Sequence, residues 1–300
     1  MPFAPYDYIE DADGWTYVLA GSCSDGASLV ATAVFSPAPV RFKCKASTNV
    51  SQSKPRASRA HIGGPLDFTI PLGCVARHYD RTQQPLGAIQ GGAPPPVCTI
   101  ERISVEHGCK AYLFGSRRLG FERPESDWDL LILGDTNPRI LMDEIQRQLA
   151  DQLRPYSPAE ITRRVERYAA LGLLPRATLE RLFALTTRYF RWGDRDVALF
   201  FARGNPMLIP TAAEIESMES GAIAGTIVEN AGLSYLMPRS FRIRNGGGKM
   251  FDIQTIWWEL GGLEECAGTT VFMDGVRRLH DGSMWLGGSE SSFAFKEKTE

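Results

Sequence analysis

The sequence predicts an α/β (α+β) protein with a mixed sheet and helices in the middle of the chain and β-rich regions at both ends. Strand-like apolar runs alternate with amphipathic helical patterns over residues 97–203. Runs rich in β-branched and aromatic residues, bounded by turn signals, recur before and after that stretch. We therefore divide the chain into a β-rich N-terminal region with a basic loop (1–96), a core (97–203) and a C-terminal α+β region (204–300).

The N-terminal region reads as strands followed by loops. Two β-rich runs over residues 15–35 surround the turn signal Asp25-Gly26, which predicts a hairpin. Residues 36–66 are rich in Ser, Pro, Lys and Arg and predict a long loop. Another strand is predicted at 67–70, and the Pro- and Gly-rich stretch 81–96 reads as a linker.

The core begins with two predicted strands, 109–114 and 127–133. A helix follows from Asn137, the N-cap, because Pro138 suits the first helical position. Its apolar residues recur every four positions along one face. These residues are Leu141, Ile145, Leu149 and Leu153.

Two further helices and a strand complete the predicted core. Residues 157–160 (Ser-Pro-Ala-Glu) form a capping-box pattern, and Gly172 marks the end of the helix that it opens. A third helix is predicted over 176–192 with Gly193 as its stop, followed by a strand over 196–201.

The C-terminal region gives weaker signals. A short helix is predicted over 213–218, and strands over 240–244 and 250–257 are joined by a glycine turn at 246–248. The Ser- and Gly-rich tail from residue 287 is expected to fray.

Composition excludes several classes of protein. Of 300 residues, 43% are apolar and 23% charged, which is typical of soluble globular proteins. The longest strongly apolar run, 197–202, is far shorter than the roughly 20 residues that span a bilayer, so we expect no membrane partner. No leader pattern is present, and the six cysteines contain no Cys-x-x-Cys pair. We therefore expect a reducing, cytoplasmic setting.

The charge is unevenly distributed although the net charge is only −2. Residues 41–59 hold six cations and no acid, a pattern that suits a nucleic-acid backbone. Those cations are Arg41, Lys43, Lys45, Lys54, Arg56 and Arg59. The stretch has a single aromatic residue, Phe42, so base stacking there has little support.

One segment of the core carries candidate chemistry. Asp127 and Asp129 are two positions apart on a predicted strand, so both side chains project from one face while Trp128 points to the other. Two nearby carboxylates repel each other, and a bound cation removes that repulsion. Oxygen-only ligands suit Mg²⁺. Gly115-Ser116, at the end of the neighbouring strand, can bring backbone N–H groups and a hydroxyl close to a phosphate.

The Gly-Ser pair, ten intervening residues and the Asp-x-Asp pair resemble the signature of the DNA polymerase β-like nucleotidyltransferase superfamily. The string over residues 114–130 is most similar to the minimal nucleotidyltransferase branch, including the Arg after Gly-Ser and the Ser before the first Asp. The resemblance covers about residues 97–203 and implies a nucleotidyltransferase core there.

The resemblance implies an NTP-dependent, two-metal-ion transferase. An NMP would move from an NTP such as ATP to an acceptor hydroxyl, and pyrophosphate would leave. Asp127 and Asp129 would hold Mg²⁺ or Mn²⁺, and Gly115 and Ser116 would bind the terminal phosphates.

The family also implies a third metal-binding carboxylate on a later strand. Asp196 is favoured because an apolar strand follows it at once, with Asp194 and Asp252 as alternatives. Either Arg117 or Arg118 would brace the phosphates.

The sequence does not determine the acceptor, the oligomeric state or whether the protein is catalytically active. The acceptor is an RNA or tRNA end, a protein side chain or a small molecule, and the oligomeric state is undetermined. The alternative function is a catalytically inactive binding or regulatory protein with the same fold. Retention of both Asp127 and Asp129 favours the enzyme.

Overall fold

A computed structural model gives the structure of the protein. It describes residues 3–37, 44, 58–59, 67–89, 92–124, 126–170, 172–185, 188–204, 208–216, 218, 220–288 and 290–296. Most of the predicted basic loop, and the side chains of all six cations over 41–59, lie outside the described residues.

Helices and sheets are both present, which confirms the predicted α+β character. The strands are β1 Tyr8–Asp11, β2 Thr16–Ser22, β3 Ser28–Phe35, β4 Ser58–Arg59, β5 Asp67–Pro71, β6 Val75–Tyr79, β7 Lys110–Phe114, β8 Trp128–Leu133, β9 Tyr189–Trp192, β10 Arg195–Ala202, β11 Ser220–Val228, β12 Arg239–Arg244, β13 Met250–Thr255, β14 Thr270–Arg278, β15 Met284–Trp285 and β16 Ser292–Phe295. The helices are α1 Pro95–Glu106, α2 Gly115–Arg118, α3 Pro138–Leu149, α4 Pro158–Ala169, α5 Arg176–Leu185 and α6 Ala212–Glu216. None of the described helices is long and apolar enough to cross a membrane.

The central sheet has the strand order β7-β8-β10-β9. β8 and β10 are parallel, whereas β7 and β9 pair antiparallel with their neighbours. One face packs against α1 and α3, because Ile100 and Ile145 from those helices share a buried cluster with Leu130 and Leu199 from the strands. Alternate strand residues therefore face these helices, which leaves the intervening residues for the other face.

The other face of the central sheet joins all three parts of the chain. Phe114 and Phe200 from this face belong to one buried cluster with Tyr6 from the N-terminal region and Trp258 from the C-terminal region. Tyr6 meets both Phe114 and Trp258 edge-on, with ring centroids 5.5 Å apart in each pair. The three-part division of the chain remains a prediction, since this core is continuous across it.

The N-terminal sheet has the order β4-β5-β3-β2-β1-β6. β2 and β3 pair antiparallel across the turn at residues 24–27, so the predicted hairpin is confirmed. The predicted strand at 67–70 is β5, which pairs with β3.

The C-terminal sheet closes on itself. Its order is β11-β12-β13-β15-β14-β16, and β11 also pairs with β14. β12 and β13 form the predicted hairpin around the glycine turn. The expectation that the tail frays is wrong for β16, which pairs with β14 and buries Phe293 completely. Two aromatic side chains in a Ser-rich segment, Phe293 and the partly buried Phe295, anchor that strand.

The predicted third helix is too long. α5 ends at Leu185, and β9 begins at Tyr189 and pairs antiparallel with β10. Gly193 is therefore the turn of a hairpin, with φ of +59°, and does not end a helix. The aromatic residues of β9 favour a strand, and pairing with β10 across the two-residue turn overrides the helical spacing.

Helix α1 is not predicted from the sequence, because the prolines among its first residues favour a linker. Its sequence contains several β-branched residues, which weaken the helical signal. Pro95 and Pro96 lie in the first turn, where a missing N–H costs no hydrogen bond. Packing against α3 and β7 then stabilises the helix.

Helix α4 begins with the predicted capping box. The backbone N–H of Ser157 donates to Glu160 over 2.8 Å, and the N–H of Glu160 donates to the Ser157 hydroxyl over 3.4 Å.

We expect Ser157→Ala to lower the free energy of unfolding by about 1 kcal/mol, since it leaves a helical N–H without a partner. Urea denaturation measures this change. Thr162→Ala removes an exposed hydroxyl from the same helix and should be nearly neutral; an equal loss in both variants would contradict the capping argument.

Candidate functional site

A cavity of about 180 Å³ lies at the edge of the central sheet where β7 ends and where β8 and β10 begin. Five of the residues singled out in the sequence line it together. They are Gly115, Ser116, Asp127, Asp129 and Asp196. The walls are completed by the N-terminal hairpin, by α4 and β9, and by Trp258 of the C-terminal region.

Asp127 and Asp129 reach the cavity from the start of β8. Asp127 directly precedes the strand, and Asp129 pairs with Phe114 of β7 and with Ala198 of β10. Trp128, between them, is buried in the cluster formed with α1 and α3. The two aspartates therefore share the face opposite to that tryptophan, as strand geometry requires.

Gly115 is fitted closely against Asp129. Its φ is +68°, a conformation that side chains rarely adopt. A Cβ atom placed on Gly115 would lie 2.1 Å from Asp129 Oδ2. Glycine is therefore required at this bend both by the backbone and by the neighbouring carboxylate.

Tyr8 of β1 contacts the same bend from the N-terminal sheet. The backbone N–H of Gly115 donates a hydrogen bond of 2.9 Å to the Tyr8 hydroxyl. Burial raises the pKa of Tyr8 well above its usual value, and the charge of Asp129 raises it further. The phenol is thus protonated at neutral pH. Sequence reasoning missed Tyr8, because no local motif connects it to a bend 107 residues away.

Replacing Tyr8 with Phe should loosen the bend. The change removes the acceptor of the Gly115 N–H, and a typical hydrogen bond of this kind contributes about 0.5–1.5 kcal/mol. We expect faster hydrogen exchange at the Gly115 amide and a similar fall in the free energy of unfolding. Unchanged exchange at this amide would show that Tyr8 does not hold the bend.

Asp196, the second residue of β10, lies beside the aspartate pair. Val197 pairs with Trp128, so the register places Asp196 next to Asp127. Its carboxylate accepts a 2.7 Å hydrogen bond from Arg191 Nη1, and Arg164 Nη1 lies 3.8 Å away. Among the described residues, no group of three or more His, Cys, Asp or Glu side chains is arranged to hold a metal ion.

The two alternatives to Asp196 lie elsewhere. Asp194 is in the turn between β9 and β10 and does not line the cavity. Asp252 is on β13 and forms a two-point ion pair with Arg242, with distances of 2.8 and 3.1 Å. It lines a different cavity, at the opposite end of β8 and β10.

Arg117 supports the segment that carries the first aspartate. Its Nε donates to the carbonyl of Asp127 over 3.0 Å, and its Nη2 donates to that of Ser126 over 2.7 Å. The guanidinium also lies 4.1 Å from the centre of the Trp128 ring. Arg117 therefore contacts the backbone next to the site and is not among the residues that line the cavity.

Arg118 points in another direction. Its guanidinium donates to the carbonyl of Asp80 and, over 3.3 Å, to the side chain of Gln83. The residue is 5% exposed and does not line the cavity. The expectation that Arg117 or Arg118 braces a phosphate thus remains a prediction, and the arginine concerned would have to leave these partners to do so.

Arg164 of α4 lines the cavity and was not singled out in the sequence. Four aromatic rings surround its guanidinium. The distances from Cζ to the ring centres are 3.8 Å for Tyr189, 5.2 Å for Phe183 and 5.4 Å for Tyr156 and Tyr168. Helical spacing gives a signal for its location, because Arg164 lies three residues after Ile161 and four before Tyr168, on the side of α4 that packs inward.

The aspartate pair fits a hard divalent cation. Both side chains offer only oxygen ligands, and Mg²⁺ is commonly bound by one or two carboxylates together with water and substrate phosphates. The close approach of Gly115 to Asp129 leaves no room for a side chain between the bend and the carboxylate. Asp127 and Asp129 are thus the residues that could hold Mg²⁺ or Mn²⁺.

Comparison with known proteins gives a family match over part of the chain. No curated protein and no solved structure matches the chain significantly. Residues 99–170 match the family model described as a nucleotidyltransferase domain, a segment that contains the Gly-Ser bend and the aspartate pair and ends before Asp196. This match supports placing the segment in the nucleotidyltransferase superfamily, whose domains in general transfer a nucleoside monophosphate.

Proposed function

We propose that the protein is a metal-dependent nucleotidyltransferase that moves an NMP from an NTP to an acceptor hydroxyl and releases pyrophosphate. The observation that carries the proposal is that Gly115, Ser116, Asp127 and Asp129 line one cavity within the segment that matches the nucleotidyltransferase domain. The sequence around them favours the minimal nucleotidyltransferase branch. The unpaired cysteines among the described residues suit a reducing, cytoplasmic compartment.

In this proposal, Asp127 and Asp129 hold Mg²⁺ or Mn²⁺. When bound, such an ion neutralises phosphate charge and makes an acceptor hydroxyl easier to deprotonate. The Gly115-Ser116 bend supplies N–H and hydroxyl donors to the terminal phosphates, and Gly115 exchanges its hydrogen bond with Tyr8 for one with the substrate.

Asp196 completes the proposed site. It lies beside Asp127 in the sheet and would accept the proton of the acceptor hydroxyl. The acceptor oxygen then attacks the α-phosphorus in line, and the bond to the leaving pyrophosphate breaks. Arg117 keeps Asp127 in place through the backbone.

A catalytically inactive binding protein is the second candidate. The observation that favours it is the ion pairing of Asp196 with Arg191 and Arg164, which engages the carboxylate expected to act with the aspartate pair. In this case the cavity would bind a nucleotide without transferring it.

One experiment separates the two candidates. The protein is incubated with each α-labelled NTP, Mg²⁺ or Mn²⁺, and an RNA 3′ end, a protein mixture or a panel of small hydroxyl compounds. The proposal expects label in one acceptor class, equal release of pyrophosphate, and no transfer in the presence of a chelator. Nucleotide binding without transfer to any acceptor would favour the inactive binding protein. Neither binding nor transfer would refute both.

A further inference from the structure

The side chains that line the cavity carry more negative than positive charge, although a polyphosphate ligand is itself negative. Three carboxylates line it, on Asp127, Asp129 and Asp196, whereas Arg164 is the single Lys or Arg among the described lining residues. An arginine guanidinium offers several N–H donors in a plane and suits phosphate oxygens.

Arg164 is held firmly at the cavity wall. Its guanidinium is within 5.4 Å of four aromatic ring centres, and Nη1 donates to the Tyr156 hydroxyl over 3.0 Å. The side chain is 13% exposed. A charged group already ordered by its neighbours loses little conformational entropy when it binds a ligand.

The contact between Arg164 and Asp196 is loose. The nearest nitrogen and oxygen are 3.8 Å apart, beyond hydrogen-bond distance, whereas Arg191 donates to the same carboxylate over 2.7 Å. Arg191 also forms an ion pair with Glu160 of α4, with its Nε 3.1 Å from the carboxylate. Asp196 therefore keeps a close cationic partner if Arg164 turns to another anion.

We propose that Arg164 binds the phosphate chain of the nucleotide and exchanges its loose contact with Asp196 for a hydrogen bond to a phosphate oxygen. The inference rests on the proposed function and identifies the cation of the nucleotide site. It assigns to Arg164 the role that the sequence suggested for Arg117 or Arg118, whose side chains have backbone partners outside the cavity.

Calorimetric binding of tripolyphosphate and of an NTP in Mg²⁺ buffer tests this assignment. Wild type is compared with Arg164→Gln, with Arg164→Lys, and with Arg163→Gln, which alters the exposed neighbouring arginine on the same helix. We expect Arg164→Gln to raise the Kd for tripolyphosphate about 10-fold or more, Arg164→Lys to raise it less, and Arg163→Gln to leave it unchanged. The Kd for the corresponding nucleoside, which has no phosphate, should stay the same in all variants.

The outcomes distinguish this inference from the proposed function. If wild type transfers label but Arg164→Gln and Arg164→Lys bind tripolyphosphate as wild type does, the inference is wrong and the proposed function stands. If no transfer occurs but tripolyphosphate binding depends on Arg164, the inference stands and the transferase is refuted. Loss of nucleoside binding in Arg164→Lys, with circular dichroism like that of wild type, would overturn the phosphate assignment. If Arg164→Gln does not fold, the comparison uses Arg164→Lys and Tyr156→Phe instead. Tyr156→Phe removes the acceptor of Arg164 Nη1. A Kd for tripolyphosphate that is unchanged in both variants would refute the inference.

Discussion

Replacing the aspartate pair at the start of β8, as Asp127→Asn with Asp129→Asn, should reduce nucleotidyl transfer by at least about 10³-fold, or roughly 4 kcal/mol of transition-state stabilisation. The amides keep the size of the side chains but remove the negative charges that would hold a divalent ion. The measurement is label transfer at saturating NTP over a range of Mg²⁺ and Mn²⁺ concentrations.

The matched control changes two aspartates far from the cavity. Asp143 and Asp151 are exposed, on α3 and in the turn that follows it, and their replacement by Asn should leave transfer unchanged. The variant of the cavity pair should lose no more than about 1 kcal/mol of stability, because two like charges on one strand face repel each other. Full transfer by a folded variant of the cavity pair would contradict the assignment of these residues.

Gly115→Ala should be the most damaging single substitution in the bend. The positive φ costs an alanine about 1–2 kcal/mol, and its Cβ would lie 2.1 Å from Asp129 Oδ2, so the carboxylate must move. We expect transfer to fall at least about 100-fold, because a small displacement of a catalytic group has an effect of this size. Transfer kinetics and urea denaturation measure the two effects.

Gly120→Ala separates backbone strain from the collision with Asp129. Gly120 has a φ of +67°, nearly that of Gly115, but nothing lies within 4 Å of the position that an alanine methyl group would take there. Both variants should lose similar stability through the backbone, and Gly120→Ala should retain most of its transfer activity. Equal losses of activity would mean that strain alone, and not the position of Asp129, limits the reaction.

Local signals predicted most of the elements that position the site. Asn137 and Ser157 begin their helices as N-caps, and the turn at Asp25-Gly26 joins a hairpin, because each of these structures depends on neighbouring residues alone. β9 was missed because its partner in the sheet, and not its own spacing, makes it a strand. α1 was missed because packing compensates for its weak helical propensity.

The residues of the cavity also divide into those that a local sequence motif predicts and those that only packing brings together. Gly115, Ser116 and the two aspartates form a compact sequence motif, so their meeting at one sheet edge could be predicted. Tyr8 and Arg164 arrive from a different sheet and from a helix, and only the packing of these elements brings them there. Helical spacing separates Arg164 from Arg163 and Arg167 on α4, because it lies three residues after Ile161 and four before Tyr168, but this spacing does not show which side chains it contacts.

The proposed function requires a nucleoside triphosphate and a divalent ion to occupy the cavity at the start of β8. Crystals grown with Mn²⁺ and a nonhydrolysable NTP test it directly through the anomalous signal of manganese. We predict a peak within ligand distance of both Asp127 and Asp129, with the triphosphate along the Gly115-Ser116 bend. Manganese and nucleotide bound elsewhere, for example in the cavity lined by Asp135 and Asp252, would contradict the proposed site at Asp127 and Asp129.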